Sequence, residues 1–531
     1  VLVNPPCVIF EDDHLLVVNK PAGLNTHSPS PFAGEGIYDW LRHREPGWSR
    51  LAIIHRLDKE TSGVLVFATT PAANRSLTEQ FTRHAVRKKY LLQSDRAARR
   101  SEFSVSSALV RVGDRYVSRP LHSGATRAET RFHVVAAADG RTQLEAEPLT
   151  GRTHQIRVHA AENGLPILGD TLYGGTPAAR LHLHALELTL IHPASGQPMT
   201  FKAPVDFTED PRLTLRSALI SETETNAFRL IHGASDGWPG WYVDRLGDRL
   251  LSQSEASLKP CQRTVLVEWV RSFRLNGVYH KTLPRQIVRA NISRILPEKV
   301  PEDNASADFS VLENGLRLAL SFNEGYSTGL FLDQRDNRRR ILANHVAAGF
   351  PLFNHPKRAT VLNTFAYTCG FSVCAAKSGA QTVSIDLSKK YLEWGKRNFQ
   401  LNGLDTAAHD FIYGDAFDWM NRLAKRGRRF DLVILDPPTF SRSRRYGEFR
   451  VEKDYGRLVA AALRVLNPGG VLFASTNATT MGPETFLAEV TAPVRAALRR
   501  VVQEFYSPQP PDFPVSRLEP AHLKTVWIRV S

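Results

Sequence analysis

The spacing of apolar and polar residues differs between the two ends of the chain. In residues 1–208, short apolar runs such as 64–68 alternate with polar turns, which is typical of strands. From residue 358 onwards, short apolar runs alternate with longer stretches of helical character. Because strands that alternate with helices form parallel sheets, the pattern predicts a strand-rich first part and an α/β last part.

Two polar, proline-containing segments interrupt this pattern. They are residues 202–212 and 296–308, and the second has the composition of a linker. We therefore expect three domains, at 1–208, 209–305 and 306–531. A chain of 531 residues is too long for a single hydrophobic core, which agrees with this division.

A polar segment just before the apolar run 64–68 contains candidate functional residues. The Thr-Ser-Gly sequence at 61–63 predicts a turn into that strand, so Asp58 lies on a loop at the edge of a strand, where functional sites are often built. Arg56 precedes Asp58 by two residues. The pair is either part of such a site or a solvated surface ion pair, which is common and contributes little energy.

The net charge of the chain indicates what kind of molecule it is expected to bind. The net charge of +15 suits a polyanion such as nucleic acid, because lysine and arginine displace counterions from phosphates. The basic runs are local, at 83–90, 96–100, 424–430 and 441–450. Each run is either the rim of a binding site or a solvated face.

The remaining composition favours a cytoplasmic protein without a membrane segment. No apolar run approaches the roughly 20 residues that a membrane helix needs. The first residues have no signal-peptide layout. The four cysteines, Cys7, Cys261, Cys369 and Cys374, lack metal-ligand spacing, so we expect reduced thiols and no metal site.

Four stretches of the first part follow the motif order of one family. They are EDDHLLVVNKPAGL (11–24), HRLDKETSGVLVFA (55–68), VRKKYLL (86–92) and PLTGRTHQIRVHAAENGLPILGDTLYGG (148–175). On these motifs, nearly the whole first part resembles the RluA-type pseudouridine synthases. The resemblance implies an α+β fold with a mixed, largely antiparallel sheet, and conversion of uridine to pseudouridine in RNA without a cofactor.

This resemblance also implies which residues perform the chemistry. Asp58 corresponds to the catalytic carboxylate, which either attacks the sugar or base or stabilises the charge that develops. Arg157 corresponds to the cation that keeps this carboxylate ionised. Tyr90 corresponds to the tyrosine that packs on the target base and can move a proton; a plain core aromatic is the alternative.

Two arginines are implied to contact the RNA. Arg56 matches the family position that fills the gap left when the target base leaves its stack. Arg152 either contacts RNA or holds the turn of its own Thr-Gly-Arg-Thr-His segment. His154 and His159 are interpreted as structural.

The last part carries a pattern for binding a nucleoside. Residues 358–404 predict a strand, a loop, a helix and a second strand that ends at Asp386, an arrangement that grips a ribose diol. Asp-Pro-Pro-Thr-Phe at 436–440 follows an apolar strand, and its prolines fix a rigid loop where open α/β sheets bind ligands. This segment resembles motif IV of the class I S-adenosylmethionine methyltransferases, which implies an α/β Rossmann-like domain.

The methyltransferase resemblance implies S-adenosylmethionine as the cofactor. Asp386 corresponds to the acid that binds the ribose, Asp415 to the residue near the adenine amine, and Asp436 to the residue beside the methyl group. The implied cofactor-binding residues are Asn363, Phe365, Tyr367, Gly370, Asp386, Asp415, Asp436 and Pro437.

Longer segments resemble two more specific families. Residues 327–342, 386–404 and 436–445 resemble RlmK, the guanine-N7 methyltransferase half of a bacterial 23S rRNA enzyme. Residues 228–251 resemble the central domain of RlmI, a 23S rRNA cytosine-C5 methyltransferase, which implies a small α+β central domain that binds RNA or acts as a spacer. Asp333, Gln334 and Arg335 start a helix that either roofs the cofactor or is a plain helix N-terminus.

The absence of one residue type favours a nitrogen acceptor for the methyl group. Methylation of a pyrimidine carbon 5 needs a thiolate that adds to carbon 6, and RlmI-type enzymes carry that cysteine after a late strand. This chain has VLFASTNATTMG at 471–482, without cysteine. Guanine N7 is the first candidate and guanine N2 the second. Phe440 either stacks on the base or packs internally.

Together these observations predict a bifunctional RNA-modifying enzyme. Its expected substrate is ribosomal RNA, in particular 23S rRNA. One alternative is a tRNA substrate. Another is a fusion in which one half is an inactive RNA-binding or ribosome-assembly module. The sequence carries no expectation for the oligomeric state.

Overall fold

The structure is a computed structural model, and it describes residues 3–33, 36–121, 126–138, 140–283, 292–295, 308–323, 327–443 and 447–531. Three large sheets organise these residues, and each belongs to a different stretch of the chain. The first lies within residues 8–202, the second within 227–295 and the third within 360–530.

The first sheet contains eleven strands in the described residues. They are β1 (Val8–Glu11), β2 (Leu15–Lys20), β3 (Ala52–Ile53), β4 (Ser62–Ala68), β5 (Arg87–Ser94), β6 (Glu102–Val112), β7 (Arg115–Arg119), β8 (Arg127–Ala138), β9 (Arg141–Pro148), β10 (Leu183–Ile191) and β11 (Pro198–Lys202). The order is β1-β2-β4-β10-β5-β9-β8-β6-β7, with β3 on β4 and β11 on β10. The pairing of β4 with β10 is parallel and the other described pairings are antiparallel. The expected mixed, largely antiparallel sheet is confirmed.

Helices of the first part begin at recognisable local signals. They are α1 (Ile37–Arg42), α2 (Pro71–Thr82) and α3 (Gln155–Glu162). Thr70 caps α2 by accepting a hydrogen bond from the Ala73 N–H, and Pro71 occupies the first helical position, where no N–H is needed. The helix α3 begins after His154, whose backbone is left-handed.

The predicted turn at 61–63 is wrong in two of its three positions, because β4 already begins at Ser62. The turn lies at 59–60 instead. Ser62 and Gly63 pair with β10 in parallel, and a Cβ on Gly63 would lie 2.3 Å from the carbonyl oxygen of Ala185. Glycine is therefore required here by the close approach of two strands rather than by a turn.

The second sheet forms the centre of the chain. Its strands are β12 (Ala227–His232), β13 (Trp241–Leu246), β14 (Arg249–Ser254), β15 (Gly277–Thr282) and β16 (Ile292–Ile295), and the accompanying helices are α4 (Pro211–Leu219) and α5 (Pro260–Ser272). The strands follow chain order, and β14 pairs with β15 in parallel. This layer shares one hydrophobic core with the first part, in which Phe67 of β4 and Trp241 of β13 are both fully buried.

The third sheet contains seven strands in the described residues. They are β21 (Thr360–Asn363), β22 (Gln381–Asp386), β23 (Asp410–Tyr413), β24 (Phe430–Leu435), β27 (Leu466–Thr476), β28 (Val501–Ser507) and β29 (Lys524–Val530). The order is β23-β22-β21-β24-β27-β29-β28. The predicted parallel sheet is confirmed for the first five of these strands, whereas β29 pairs antiparallel with both β27 and β28.

Smaller strand pairs and six helices complete the last part in the described residues. The pairs are β17 (Asp308–Glu313) with β18 (Leu316–Ser321), β19 (His345–Ala347) with β20 (Phe350–Pro351), and β25 (Phe440–Ser443) with β26 (Gly447–Arg450). The helices are α6 (Arg335–Leu342), α7 (Gly370–Lys377), α8 (Lys389–Leu401), α9 (Ala416–Lys425), α10 (Val451–Leu463) and α11 (Pro483–Ala496). With the central sheet and its helices, these elements confirm the expected fold class.

The helix α6 connects the last part to the first. Its residue Asp336 accepts a hydrogen bond of 2.9 Å from the indole N–H of Trp40 in α1. Arg339 pairs with Glu45, which lies just after α1. Next to α6, the Ala348 N–H donates to Nδ1 of His43 at 3.0 Å.

The predicted domain limits stay predictions. The segment 202–212 runs from the last residue of β11 into the first turn of α4. The predicted linker 296–308 and the limit at 305/306 lie outside the described residues, except for residue 308. Among the described helices, none has the length and apolar character needed to cross a membrane.

Substitution of Gly63 by alanine tests the close contact between β4 and β10. We expect Gly63→Ala to lower the free energy of unfolding by about 3 kcal/mol, because its Cβ overlaps backbone atoms that cannot move away. Gly113→Ala is the matched control, since Gly113 also has a positive φ, of 62°, but has open space around its Cβ position. That control should lose only about 1 kcal/mol. Urea unfolding measures both values, and equal losses would contradict the role of the strand contact.

Candidate active sites

A cavity of about 740 Å³ in the first part brings the predicted catalytic residues together. It is lined by the loop before β4, by β5, by the end of β9 and by the start of α3. The predicted site residues on its wall are Arg56, Asp58, Tyr90, Arg152 and Arg157.

Asp58 lies on the loop between β3 and β4, as predicted. Hydrogen bonds from Lys20 and Thr26 hold this loop. The buried ammonium of Lys20 donates to the carbonyl of Lys59 at 3.1 Å and to the carbonyl of Leu24 at 2.7 Å. Thr26 accepts from the Leu57 N–H and donates to its carbonyl. The motif at 11–24 therefore has a structural purpose, because its Lys20, together with Thr26 just after it, fixes the residues on both sides of Asp58.

Lys20 was not predicted as a site residue. Its ammonium is fully buried, and burial lowers the pKa of Lys20 to about 7, although the negative charges of Glu60 and Asp58 act in the opposite direction. A buried lysine that donates to backbone carbonyls cannot be recognised from one sequence, because lysine is usually exposed.

The Asp58 side chain is one third exposed and faces two nitrogen donors on α3 and its N-cap. Nη1 of Arg157 lies 3.6 Å from Oδ2 of Asp58, and Nε2 of His154 lies 3.8 Å from the same oxygen. Arg157 is held by Asp170, whose carboxylate accepts from Nε and Nη2 at 2.7 Å each. Burial opposes the charge of Arg157, but the hydrogen bond and charge of Asp170, with Asp58, raise its pKa. The guanidinium therefore stays charged beside Asp58.

Tyr90 lies on β5, between Ala185 of β10 and Ala146 of β9. Its side chain is half-buried at the cavity wall. Burial and the negative charge of Asp58 raise the pKa of Tyr90, so the phenol keeps its proton at neutral pH. The residue thus offers both a ring face and a hydroxyl to the cavity.

Arg56 and Arg152 are exposed at the rim of this cavity. The backbone of Arg152 also forms the turn before α3, because its N–H donates to Oε1 of Gln155. Both roles considered for Arg152 are thus compatible, since the turn uses only its backbone. Lys88 lines the same wall, and burial lowers its pKa.

The two histidines interpreted as structural differ from each other. His159 is buried and hydrogen-bonded to Ser107 and Thr130, which is a structural arrangement. His154 instead lines the cavity and faces Asp58. Its sequence neighbourhood resembles that of any helix start, so only the fold shows this orientation.

A second candidate site lies at the carboxyl ends of β21 and β22. Asn363 ends β21, the loop 364–369 follows, and Gly370 begins α7. Asp386 ends β22, and its carboxylate accepts the N–H groups of Tyr367 at 2.8 Å and Ser388 at 2.8 Å. Burial raises the pKa of Asp386, whereas these two N–H groups favour its charged form. The strand–loop–helix–strand prediction is therefore correct at this position.

The loop of this second site has several features of a nucleoside-binding wall. Oδ1 of Asn363 is buried and has no hydrogen-bond partner within the described residues. Tyr367 has a positive φ of 47°, which turns the loop towards Asp386. The ring of Phe331 is 42% exposed and lies 5.5 Å from the ring of Tyr367.

Three other predicted cofactor residues have mainly structural contacts. Phe365 packs near Phe449, with ring centroids 6.3 Å apart. Asp415 is the N-cap of α9 and accepts from the Asp418 N–H at 3.0 Å. Pro437 is buried at the start of the loop after β24. Their roles in cofactor binding stay predictions.

Asp436 is the most strongly perturbed acid of the second site. Burial, together with the charge of Asp333, raises the pKa of Asp436 to about 6, although the hydrogen bond with Ser475 acts to lower it. Gln334 donates to Asp436 at 3.3 Å and to Ser475 at 2.7 Å. The helix start at 333–335 is therefore more than a plain N-terminus, because its side chains contact the Asp-Pro-Pro loop.

The exposed edge of this site is aromatic and basic. Phe440 begins β25, is 46% exposed and lies 5.5 Å from the guanidinium of Arg450. The Phe440 ring is thus partly exposed and also contacts Arg450, and its role in stacking on a base stays a prediction. The thiols of Cys369 and Cys374 are buried, and burial raises the pKa of each to about 12.

Two family models match different parts of the chain. The model described as RNA pseudouridylate synthase matches residues 14–162. The model described as S-adenosylmethionine-dependent methyltransferase matches residues 299–529. The cavity with Asp58 lies mostly within the first match, and the site with Asp386 lies in the second.

Individual relatives likewise include both methyltransferases and a pseudouridine synthase. A ribosomal RNA large subunit methyltransferase of Deinococcus radiodurans is 31% identical over 363 residues, which cover 65% of this chain and 83% of that protein. Ribosomal large subunit pseudouridine synthase C of Yersinia pestis is 38% identical over 213 residues, covering 38% of this chain and 66% of that protein. Among solved structures, SMU.776, named as a methyltransferase and complexed with SAH, has a TM-score of 0.51 at 28% identity, covering 64% of this chain and 84% of that one.

The chain therefore belongs to the ribosomal RNA large subunit methyltransferase family of S-adenosylmethionine-dependent methyltransferases, preceded by an RNA pseudouridylate synthase unit. Both units belong to families of enzymes, so the predicted enzyme classes are confirmed. The residues of the second site also fit the methyl donor, because a carboxylate at a strand end, a buried amide oxygen and exposed rings suit a ribose and an adenine.

Removal of the Asp386 carboxylate tests the cofactor site. We expect Asp386→Ala to weaken S-adenosylmethionine binding by more than tenfold, or about 1.4 kcal/mol, because a charged acceptor and its hold on the Tyr367 N–H are lost. Asp405→Ala is the control, because Asp405 also accepts a backbone N–H but lies at an exposed short helix. Calorimetry gives both affinities. An unchanged affinity for Asp386→Ala would show that this carboxylate does not contact the cofactor.

Proposed function

We propose that the chain is a bifunctional RNA-modifying enzyme that acts on ribosomal RNA of the large subunit. Its first unit isomerises uridine to pseudouridine, and its last unit methylates a base. The observation that supports the first activity most directly is Asp58 at the centre of a basic cavity, with Arg157 at 3.6 Å and Tyr90 on the wall. The names of the relatives support ribosomal RNA as the substrate.

The cavity of the first unit offers each group that the isomerisation needs. Asp58 supplies the carboxylate that attacks the nucleotide or stabilises its charge. Arg157 places a positive charge 3.6 Å from this carboxylate, and its own guanidinium is held by Asp170. Tyr90 packs against the base and has a phenol proton to exchange. These groups complete the reaction without a cofactor.

The exposed arginines of the rim suit the entry of RNA. Arg56 precedes Asp58 by two residues and is exposed, so its planar side chain can take the place of the flipped base. Arg152 is exposed on the opposite wall and suits a phosphate. The chain's charge of +15 increases the affinity for any such polyanion.

In the second unit, S-adenosylmethionine supplies the electrophilic methyl group when it is bound. Asp386 holds the loop 364–369 and is placed to accept from a ribose diol. Asp436 and Pro437 form the start of the loop that faces the acceptor base, and Phe440 offers a stacking surface at its exposed end. The protein therefore contributes mainly proximity and orientation.

A purine nitrogen is the acceptor that these residues suit best. The four cysteines of the chain are Cys7, Cys261, Cys369 and Cys374, and none follows β27, where a thiolate would add to a pyrimidine. The raised pKa of Cys369 and Cys374, both about 12, also disfavours their thiolates. Guanine N7 has a free lone pair and needs no base, and guanine N2 is the second candidate.

Replacement of Asp58 separates the two activities. We expect Asp58→Asn to abolish pseudouridine formation and to leave methyl transfer within about twofold, because asparagine keeps the shape of the side chain and the second site is built by other residues. The assays are tritium release from RNA labelled at uridine C5 and methyl transfer on the same RNA. Asp386→Ala is the reciprocal control. Retained tritium release by Asp58→Asn would contradict the assignment of the catalytic carboxylate.

The identity of the methylated atom is a separate prediction. We expect digests of ribosomal RNA to contain 7-methylguanosine formed by this chain. RNA with 5-fluoropyrimidines should give no covalent adduct that depends on the methyl donor, in a variant carrying Asp58→Asn. An adduct or 5-methylcytidine would overturn the nitrogen acceptor, and 2-methylguanosine would overturn N7 alone. Modification of tRNA only would replace the ribosomal substrate by the tRNA alternative.

A further inference from the structure

We propose that His154 is a positioning residue for Asp58, held in one tautomer by Tyr173 so that its Nε2–H points at the catalytic carboxylate. This inference deepens the proposed function of the first unit and rests on it. It assigns a role to two residues of the cavity region that neither the sequence pattern nor the family match assigns.

The hydrogen bonds of Tyr173 support one tautomer of His154. The backbone N–H of Tyr116 donates to the Tyr173 hydroxyl at 2.9 Å. The same hydroxyl lies 2.8 Å from Nδ1 of His154. The Tyr173 oxygen accepts from Tyr116 and keeps its own proton, which it can donate to Nδ1. In the tautomer that this proposal assigns, Nδ1 accepts that proton and Nε2 of His154 carries the imidazole proton.

The protonated nitrogen faces Asp58. Nε2 of His154 lies 3.8 Å from Oδ2 of Asp58. This separation is longer than a hydrogen bond, and such contacts commonly shorten when a substrate closes the site. The donors therefore run in one direction, from the Tyr116 backbone through Tyr173 and His154 to Asp58.

The imidazole is fixed by aromatic rings on two sides. The Tyr116 ring meets it edge-on at 5.5 Å, and the Tyr173 ring meets it edge-on at 5.6 Å. Tyr116 lies on β7, whereas Tyr173 lies in the short helix Thr171–Tyr173. Two separate elements thus restrict the ring, which gives its Nε2–H a defined direction.

The backbone of His154 supports a role for its side chain. His154 has a φ of 55° and a ψ of 16°, a left-handed conformation that glycine adopts without cost and other residues adopt rarely. A purely structural N-cap would be served better by serine, threonine, aspartate or asparagine. The side chain of His154 makes no capping hydrogen bond to α3, so capping does not account for a histidine at this position.

A neutral donor at this position complements Arg157. Two nitrogens of Arg157 are occupied by Asp170, which leaves Nη1 towards Asp58. Burial lowers the pKa of His154, against the charge of Asp58, so the imidazole is neutral at neutral pH. It therefore stabilises the anionic carboxylate through a dipole, without adding a second positive charge to the site.

Other charged groups near Asp58 act from different elements. On β2 and on the loop before β4 these groups are Lys20, Arg56, Lys59 and Glu60. On β5 they are Lys88 and Tyr90. On α3 and the segments next to it they are Arg152, Arg157, Asp170 and Tyr173. Of these groups, Tyr173 alone is hydrogen-bonded to His154 in the described residues, so the variant Tyr173→Phe measures its part of the effect.

The experiment removes the ring but keeps the backbone. His154→Gly accepts the left-handed conformation, so its fold should be retained. We expect kcat/KM for pseudouridine formation to fall by about tenfold or more and the acidic limb of its pH profile to move up by about one pH unit, because anionic Asp58 loses a donor. Added imidazole should restore part of the activity. Tyr173→Phe should shift the same limb in the same direction by a smaller amount.

Controls separate this role from a structural one. His133→Ala, at an exposed histidine of β8, should leave the rate and the pH profile unchanged. RNA affinity of His154→Gly should equal that of the wild type. A lowered rate with an unshifted acidic limb and no effect of imidazole would overturn the inference, since it would show that His154 only shapes the loop. A wild-type chain that forms no pseudouridine would overturn the proposed function itself, and the inference with it.

Discussion

The buried charges of α6 are the interaction on which the arrangement of the three sheets depends. Arg335 forms a two-pronged pair with Asp512, at 2.9 and 2.7 Å, and Arg338 forms one with Glu313. Asp512 also accepts the backbone N–H of Arg229 in β12, which joins the central sheet to the same helix. Each of these side chains is almost fully removed from water, so a missing partner would leave a buried charge uncompensated, at a cost of about 3–5 kcal/mol.

The same helix also links the first part and the second candidate site to this framework. Its C-terminal half reaches the first part through Arg339 and Glu45. Just before its N-terminus, Gln334 contacts Asp436 of the methyltransferase site. Ion pairs with such strict geometry contribute more to a specific arrangement than to net stability, because the desolvation of the charges offsets much of their attraction. The buried charges therefore add specificity to an arrangement that the shared hydrophobic clusters also hold, and these clusters supply most of the stabilisation.

Local patterns in the sequence were sufficient to predict those features of the fold that depend on residues close together in the chain. The strand–loop–helix–strand unit around Asp386 and the parallel sheet follow from alternation of apolar runs and helices. Features that depend on distant residues were not predictable. Gly63 looks like a turn residue until Ala185 is placed beside it. The run Arg-Asp-Asn-Arg-Arg-Arg at 335–340 resembles a solvated charged face, yet its partners from 45 to 512 make it a buried core element. His154 likewise gains its significance only from Tyr173 and Asp58.

The contacts of α6 with α1 have a consequence for the order of events on the RNA. Because Trp40 and Asp336 join the two enzymatic units directly, the spacing between their sites is a property of the folded chain. A tethered pair of sites on a flexible linker would sample many separations, whereas a docked pair offers one. If both proposed activities act on one RNA, this fixed separation selects RNA folds that present two target nucleotides at the same distance. Target nucleotides at another spacing would require release and rebinding between the two steps.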